Sequence, residues 1–243
     1  MNDVKKVNRQ FLRLLIIYIA VILALLVAGV VVMVYLGSNY NIIYSILIAM
    51  FILMILVTGL FKNSFDRITH MSYLVKIRAN EGKPLPIHHL TNFNQSDIFR
   101  SNDFTRYQET ETYTIYYKVK KDHIKQIFRN NILTIMVLIK NKNADFYLDR
   151  IDDEINRLRD DLFKNKQKVN RIVITQIKEI DELNDKTREQ IKEILFIRTK
   201  HYIISTINVG LHRPTKKAVM LYSDTYSPSL YYKYHLDEIK KIL

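Results

Sequence analysis

Residues 14–61 decide the fold of this chain, and they read LLIIYIAVILALLVAGVVVMVYLGSNYNIIYSILIAMFILMILVTGLF. None of them is Asp, Glu, Lys or Arg, whereas basic residues are frequent on both sides. A helix needs about 20 apolar residues to cross the hydrocarbon layer of a membrane, which is about 30 Å thick. The stretch therefore predicts a hairpin of two transmembrane helices, at 14–36 and 42–61, joined by the polar turn-forming segment 37–41.

The cations around this stretch predict its orientation, since cytosolic segments next to membrane helices carry an excess of Lys and Arg. These cations are Lys5, Lys6, Arg9, Arg13, Lys62 and Arg67, and the segment 37–41 has none. We therefore expect a two-pass protein of the plasma membrane with both termini in the cytosol, residues 1–13 being its basic N-terminus. A cleaved signal peptide is the alternative, but its apolar core of about 7–15 residues is shorter than the first apolar segment here.

Small residues recur every four positions on both predicted membrane helices. They are Ala20, Ala24 and Ala28 on the first helix and Ser45 and Ala49 on the second. Small side chains let helix backbones approach closely, so these positions predict a packing face within the hairpin or between copies of the chain. The alternative is the ordinary alanine content of an apolar helix.

Residues 62–112 are predicted to connect the membrane hairpin to a separate domain. Apolar residues at helical spacing continue the second span as an amphipathic juxtamembrane helix that ends near 79–82. Its basic residues suit anionic lipid headgroups, and a stalk packed on the domain is the alternative. The polar segment 82–112 indicates a linker, with one short structured piece around 98–104.

Residues 113–243 predict a cytosolic α/β domain with a mostly parallel, mixed sheet flanked by helices. Apolar or alternating runs predict strands at 113–119, 132–139, 171–177, 202–209 and 218–222. Helical spacing predicts helices at 122–130, 144–166 and 181–197, and a C-terminal helix with Ser227 as its cap and Pro228 in its first turn. The helices at 144–166 and 181–197 each connect two strands, which indicates successive β-α-β crossovers. The run 218–222 follows its predecessor too closely for a crossover and is expected to be antiparallel.

Composition restricts the partners. The net charge is +13, which is compatible with anionic lipid or nucleic acid. Because Lys, Ile, Asn and Tyr are abundant together, we interpret the charge as a compositional bias that also suits an anionic membrane, and we regard nucleic acid as an unlikely partner. The chain has no cysteine, which removes disulfides, thiolate metal sites and cysteine nucleophiles.

No catalytic motif is visible, and no cofactor is predicted. Residues 62–243 contain only Gly82 and Gly210, so Gly-rich phosphate and dinucleotide loops are missing, as are the serine elbow and the zinc-binding His-Glu-x-x-His helix. Weak candidates remain: His88-His89 as metal ligands, the acids between 149 and 161 as a Mg²⁺ cluster, and 176–178 or 238–240 as a nuclease-like Glu-x-Lys element. Ordinary loop and solvated-helix roles explain them better.

One candidate site follows from the predicted sheet, because ligands of open α/β sheets bind beyond the carboxyl ends of the parallel strands. The residues expected there form what we call the basic rim: Lys140, Lys142, Lys178, His212 and Arg213. Gly210 is expected to allow a ligand close to the backbone. A phosphate or carboxylate ligand would suit this rim, although strand-end loops are commonly polar.

The sequence thus predicts a membrane-tethered cytosolic module that binds an anionic ligand or a protein partner, including a second copy of the chain. The alternative is a membrane-anchored phosphoesterase or nuclease-type hydrolase. No catalytic residue can be assigned from the sequence.

Overall fold

The structure, a computed structural model, describes residues 2–35, 40–93, 96–124, 130–146, 149–193 and 203–243. It divides into two compact units, Met1–Ala79 and Asn80–Leu243. The first is a pair of long apolar helices, and the second is a mixed sheet with helices on both faces.

The first unit consists of α1 (Asn2–Tyr35) and α2 (Tyr40–Ala79). At 1.5 Å per residue, these helices of 34 and 40 residues are about 51 and 60 Å long, which exceeds the ~30 Å of a bilayer core. Helix α2 runs as one helix from the uncharged stretch to Ala79. The two helices stay in contact beyond the uncharged stretch, because the Phe11 and Phe65 rings lie 5.6 Å apart.

The contact between α1 and α2 has a regular spacing of three or four residues. The less exposed positions include Leu14, Tyr18, Val21, Leu25, Gly29 and Met33 on α1, and Ile43, Ile46, Met50, Met54, Val57 and Phe61 on α2. Such spacing is typical of two helices packed along a shared seam. A methyl group on Gly29 would overlap the Met50 side chain, so the absence of a side chain at Gly29 makes room for Met50 in the seam.

The predicted small-residue face does not coincide with this seam. All five small residues, Ala20, Ala24, Ala28, Ser45 and Ala49, are exposed in the single chain. Contact within the hairpin is instead made by larger side chains, together with a hydrogen bond of 3.0 Å between the Tyr18 and Thr58 hydroxyls. Packing of the small residues between copies stays a prediction.

The second unit contains a seven-stranded sheet in the order β1-β7-β6-β5-β4-β3-β2. Its elements are β1 (Leu85–Pro86), α3 (Ser96–Ser101), β2 (Thr105–Glu109), β3 (Tyr113–Lys121), β4 (Asn131–Ile139), α4 (Asp149–Lys164), β5 (Val169–Ile180), α5 (Asp185–Ile191), β6 (Ile203–His212), β7 (Lys217–Val219) and α6 (Leu230–Ile242). Strands β4, β5 and β6 are parallel, and every other pairing is antiparallel. The predicted mixed sheet is confirmed, including the antiparallel β7. The prediction that it is mostly parallel is wrong, because four of the six pairings among the described strands are antiparallel.

The two faces of the sheet are covered differently. On one face, α4 and α5 bury an aliphatic core against β3, β4 and β5, including Ile151, Ile155 and Leu158 of α4. On the other face, α6 packs near Ile132 and Val173. Strand β3 was expected to be half-buried, but Thr114, Tyr116 and Lys118 on its other face are buried too. The Tyr116 ring stacks on Phe99 of α3 at 4.2 Å, and Lys118 contacts Glu238 of α6.

Three local predictions need correction or lie outside the described residues. The segment 82–112 is more than a linker, because it supplies β1, α3 and β2. The C-terminal helix begins after Ser229 rather than Ser227, since the Ser229 side chain accepts a hydrogen bond from the Tyr232 N–H. The predicted helix at 122–130 lies largely outside the described residues. The one predicted at 181–197 is shorter where it is described, because α5 spans Asp185–Ile191, and residues 194–197 lie outside the described residues.

Candidate functional site

Polar side chains connect α6 to successive strands of the sheet. The Tyr231 hydroxyl donates to Asp122, directly after β3, at 2.6 Å. The Tyr234 hydroxyl lies 3.0 Å from that of Thr134 on β4. Apolar contacts hold α6 on the sheet without fixing its position. These hydrogen bonds are directional, so they determine the position of α6 on the sheet.

His235 is the centre of this polar layer. Its ring is fully buried, with Nε2 at 2.8 Å from the Thr175 hydroxyl of β5 and Nδ1 at 2.7 Å from the Ser205 hydroxyl of β6. A neutral imidazole has one donor and one acceptor, and two rotatable hydroxyls satisfy both. Burial lowers the pKa of His235 to about 3, so the ring is neutral at physiological pH. A serine next to a histidine resembles a catalytic pair, but neither is accessible to a substrate.

A buried ion pair joins the end of α6 to β3. Lys118 contacts Glu238, and their side chains are only 3% and 2% exposed. The Lys118 ammonium also donates to the Asn102 carbonyl at 3.1 Å, and Lys241 donates to the second Glu238 oxygen at 2.8 Å. Glu238 belongs to the weak Glu-x-Lys candidate 238–240, and its burial and pairing assign it a structural role.

The structure brings only Lys142 and Arg213 of the basic rim to a shared partner, Glu179, and gives most of the rim residues acidic partners. At the end of β4, the Lys140 ammonium bonds Glu109 at 2.9 Å, and this bond lowers the pKa of the Glu109 carboxyl. Lys142 bonds Asp181 at 2.6 Å, which raises the pKa of Lys142. At the end of β6, His212 bonds the Thr215 hydroxyl at 2.7 Å.

Lys178 is not at the edge of the sheet. Strand β5 continues to Ile180, three residues beyond the apolar run, so Lys178 is an internal strand residue and is buried. Its ammonium donates to the Ala144 carbonyl at 2.8 Å and lies 4.6 Å from the centre of the Phe146 ring. Burial lowers the pKa of Lys178. It therefore does not contribute to a surface that a ligand can reach.

Gly210 also has a different role from the one predicted. A side chain at this position of β6 would meet Ile191 of α5 and Ile180 of β5. The glycine thus allows α5 to pack closely on the sheet, rather than a ligand to approach its backbone.

Arg213 holds the end of β6 to its surroundings. Its Nε and Nη2 atoms lie 2.8 and 2.7 Å from a Glu179 oxygen on β5, and Nη1 donates to the Leu90 carbonyl at 2.6 Å. The Lys142 ammonium is 3.9 Å from the other Glu179 oxygen. The ends of β4, β5 and β6 therefore carry alternating charges instead of a uniformly basic edge.

A cleft of about 660 Å³ lies beside Arg213, at the carboxyl end of β6. Its residues come from the β6–β7 turn and from the segment around β1: Pro84, Pro86, Ile87, His88, Thr91, Arg213, Thr215, Lys216 and Lys217. We call it the β1–β7 cleft. The size is within the range of small-molecule sites, which is about 300–1,000 Å³.

The charges of the β1–β7 cleft favour an anion. Its lining contains three cations and no carboxylate. Within the described part of the chain, the side chains of Lys216 and Lys217 make no ion pair or hydrogen bond, and both are exposed. They differ in this from Arg213, which Glu179 neutralises. The sequence analysis did not include these two lysines among the candidate site residues. They lie in a turn a few positions after Arg213, and this turn carries no recognisable motif.

The remaining weak candidates do not assemble into a site. The His88 and His89 rings are 6.3 Å apart, while their backbone N–H groups both donate to the Leu243 carbonyl, at 2.5 and 2.8 Å. Asp153, Asp160 and Asp161 are exposed on α4. Over the ranges that the structure describes, no three His, Asp or Glu residues are close enough to hold a metal ion together.

Comparison with known proteins gives no match: no family model fits the chain, and neither a curated protein nor a solved structure resembles it at a significant level.

Proposed function

We propose that α1 and α2 span a membrane as a hairpin and tether the α/β domain to its cytosolic face. Both helices are long and apolar enough to cross a bilayer. Only 6% of the most apolar window of each helix is buried, whereas a core helix of a soluble protein is mostly buried. Apolar side chains exposed in this number need a lipid environment, and the cations at both outer ends suit anionic headgroups on the cytosolic side.

The proposed topology can be tested with cysteine labelling, because the chain has no native cysteine. Single variants Ser38→Cys, in the uncharged segment between the spans, and Ser101→Cys, at the end of α3, place one thiol on each side of the membrane. In intact cells, a membrane-impermeant maleimide is expected to label the first and not the second, and permeabilised cells should label both. Labelling of Ser101→Cys alone in intact cells would refute the proposed orientation.

We propose further that the tethered domain binds a small anionic ligand in the β1–β7 cleft. The observation that carries this proposal is that Lys216 and Lys217 have no acidic partner among the described residues, and that the described lining of their cleft has no carboxylate. The position supports it too, because the carboxyl end of a parallel strand is where open α/β sheets bind ligands. The protein is thus a candidate membrane-tethered ligand sensor rather than an enzyme with a recognisable catalytic set.

Binding in the cleft predicts a phosphate-specific stabilisation of the detergent-solubilised full chain. At ten times the dissociation constant, phosphate is expected to stabilise the domain by about 1.4 kcal/mol, which corresponds to a rise of a few degrees in Tm. The double variant Lys216→Gln/Lys217→Gln is expected to lose this rise. Differential scanning calorimetry measures it against chloride at the same ionic strength.

Lys233→Gln is the matched control, because Lys233 is an exposed lysine of α6 outside the cleft. This variant should keep the whole phosphate effect. Equal shifts with phosphate and chloride in the unmodified chain would show general charge screening, and the proposed site would be rejected.

A further inference from the structure

The edge of the sheet beside the β1–β7 cleft disfavours the addition of a further strand. The Ile87 N–H donates inward to the Lys216 carbonyl at 2.9 Å. Backbone N–H groups point to alternate sides along a strand, so the nitrogen of the neighbouring Pro86 faces outward. Proline has no N–H, and the two-residue β1 therefore offers no donor to an added strand at Pro86.

This construction restricts the ligand class. A peptide that binds by extending a sheet needs regular donors and acceptors along the exposed edge. The β1 edge is two residues long and has no donor at Pro86, so the cleft suits a compact molecule rather than an extended polypeptide. Its volume of about 660 Å³ is also larger than a lone phosphate or carboxylate ion needs.

The cleft has two chemically different sides. Lys216 and Lys217, with the Thr215 hydroxyl, lie on the β6–β7 side, whereas Pro84, Pro86 and Ile87 form an apolar side along β1. A molecule that fills both sides has an anionic group at one end and an uncharged body with a flat apolar surface at the other. Proline rings and an aliphatic side chain provide contact area for such a body but no charge to hold it.

We infer that the ligand of the β1–β7 cleft is a phosphate ester of a ring-bearing molecule, of the size and chemistry of a nucleoside monophosphate. This inference rests on the proposed anion site and adds the uncharged part of the molecule to which the phosphate is attached. The phosphate lies against Lys216 and Lys217, and the ring lies on Pro84 and Pro86. His88 lines the same cleft and offers a ring for stacking.

The test compares four probes by isothermal titration against the full chain in detergent: adenosine 5′-monophosphate, glycerol 3-phosphate, inorganic phosphate and adenosine. The ring-bearing ester is expected to bind at least about tenfold more tightly than inorganic phosphate, glycerol 3-phosphate should resemble phosphate, and adenosine should not bind detectably. Equal affinity for the three phosphates would overturn the inference while leaving the anion site intact. If glycerol 3-phosphate binds as tightly as the nucleotide, and both bind more tightly than inorganic phosphate, the uncharged part is a polyol such as that of a lipid headgroup. The inference is then also overturned.

Two variants separate this inference from the proposed function. Pro84→Ala, at an exposed position before β1, is expected to reduce the preference for the ester over phosphate and to keep phosphate binding. Lys216→Gln/Lys217→Gln should weaken both. A Pro84→Ala chain that retains the full preference would show that the ring does not lie on the β1 side. No binding of any probe to the unmodified chain would refute the anion site itself.

Discussion

Replacing Lys118 by Met is expected to lower the free energy of unfolding of the α/β domain by about 3–5 kcal/mol. The change leaves the Glu238 carboxylate, which is 2% exposed, without its main counter-charge. Lys241 still donates to it, so a value near the lower end is expected. Urea denaturation of the detergent-solubilised chain, followed by far-UV circular dichroism, measures the loss.

Two further variants distinguish the loss of the buried ion pair from the loss of packing around Lys118. Lys118→Met/Glu238→Leu removes both charges and should recover most of the stability, since burial without a partner is the main cost. Lys241→Gln, which removes a side chain that is 53% exposed, should cost no more than about 1 kcal/mol. A double variant as unstable as Lys118→Met would contradict the explanation.

The cost of Lys118→Met should also depend on pH. Burial by itself raises the pKa of Glu238, but the bonds from Lys118 and Lys241 outweigh it and hold the pKa below its usual value of 4.5. A depressed carboxyl pKa contributes stability above the unfolded-state pKa and loses it as the pH falls through the folded-state pKa. The difference between the variant and the unmodified chain is therefore expected to shrink below about pH 4.5. A difference that is constant down to pH 3 would indicate a packing defect alone.

Acidification is expected to destabilise the domain through His235 well before Glu238 is protonated. In the unfolded chain, His235 takes up a proton near pH 6.5, whereas the folded ring stays neutral down to a pKa of about 3. A depressed histidine pKa means that stability is present at neutral pH and is lost as the pH falls from 6.5 towards 3. The expected loss is about 1.4 kcal/mol per pH unit, or roughly 3 kcal/mol at pH 4.

His235→Gln isolates this contribution, because an amide can donate to one hydroxyl and accept from the other without titrating. The variant is expected to be less stable at pH 7 by about 1–3 kcal/mol and to depend less steeply on pH between 6.5 and 4.5. Urea midpoints of both proteins at several pH values give the two slopes. Parallel slopes would mean that His235 does not stay neutral in the folded domain.

The elements of the fold that bury apolar runs were predictable from the sequence. Strand-like runs and helical periodicity located β4, β5, β6 and α4, because each of them buries a continuous apolar face. Helices α1 and α2 were located by the length of their uncharged apolar stretch instead, since most of that surface is exposed in the single chain. Strands β1 and β2 were not recognised, since two residues and the sequence TRYQE carry no alternating apolar pattern. Their places in the sheet depend on backbone pairing with β7 and β3, which no local pattern encodes.

The candidate site was less predictable, for two physical reasons. A strand ends where its backbone pairing ends, and β5 and β6 both continue past their apolar runs. Lys178, which was expected just beyond the end of β5, therefore lies inside the sheet. The β1–β7 cleft joins residues 84–91 to residues 213–217, which are distant in the chain. One usable signal existed for the polar layer: Thr134 and Thr175 interrupt apolar strands, and both contact α6.

The polar contacts between α6 and the strands have a consequence for folding of the domain during its synthesis. Helices α1 and α2 precede the α/β domain in the chain, so in the proposed topology they can enter the membrane while the domain is still being synthesised. At about 5–20 residues per second, residues 80–243 require roughly 10–30 s of further translation. The strand hydroxyls and Lys118 have their partners on α6, which follows every strand, so this face of the sheet stays uncovered throughout that time. With the proposed membrane hairpin, the nascent domain is anchored beside the bilayer before it can complete its own fold, and binding of chaperones to it is expected to end with the emergence of α6.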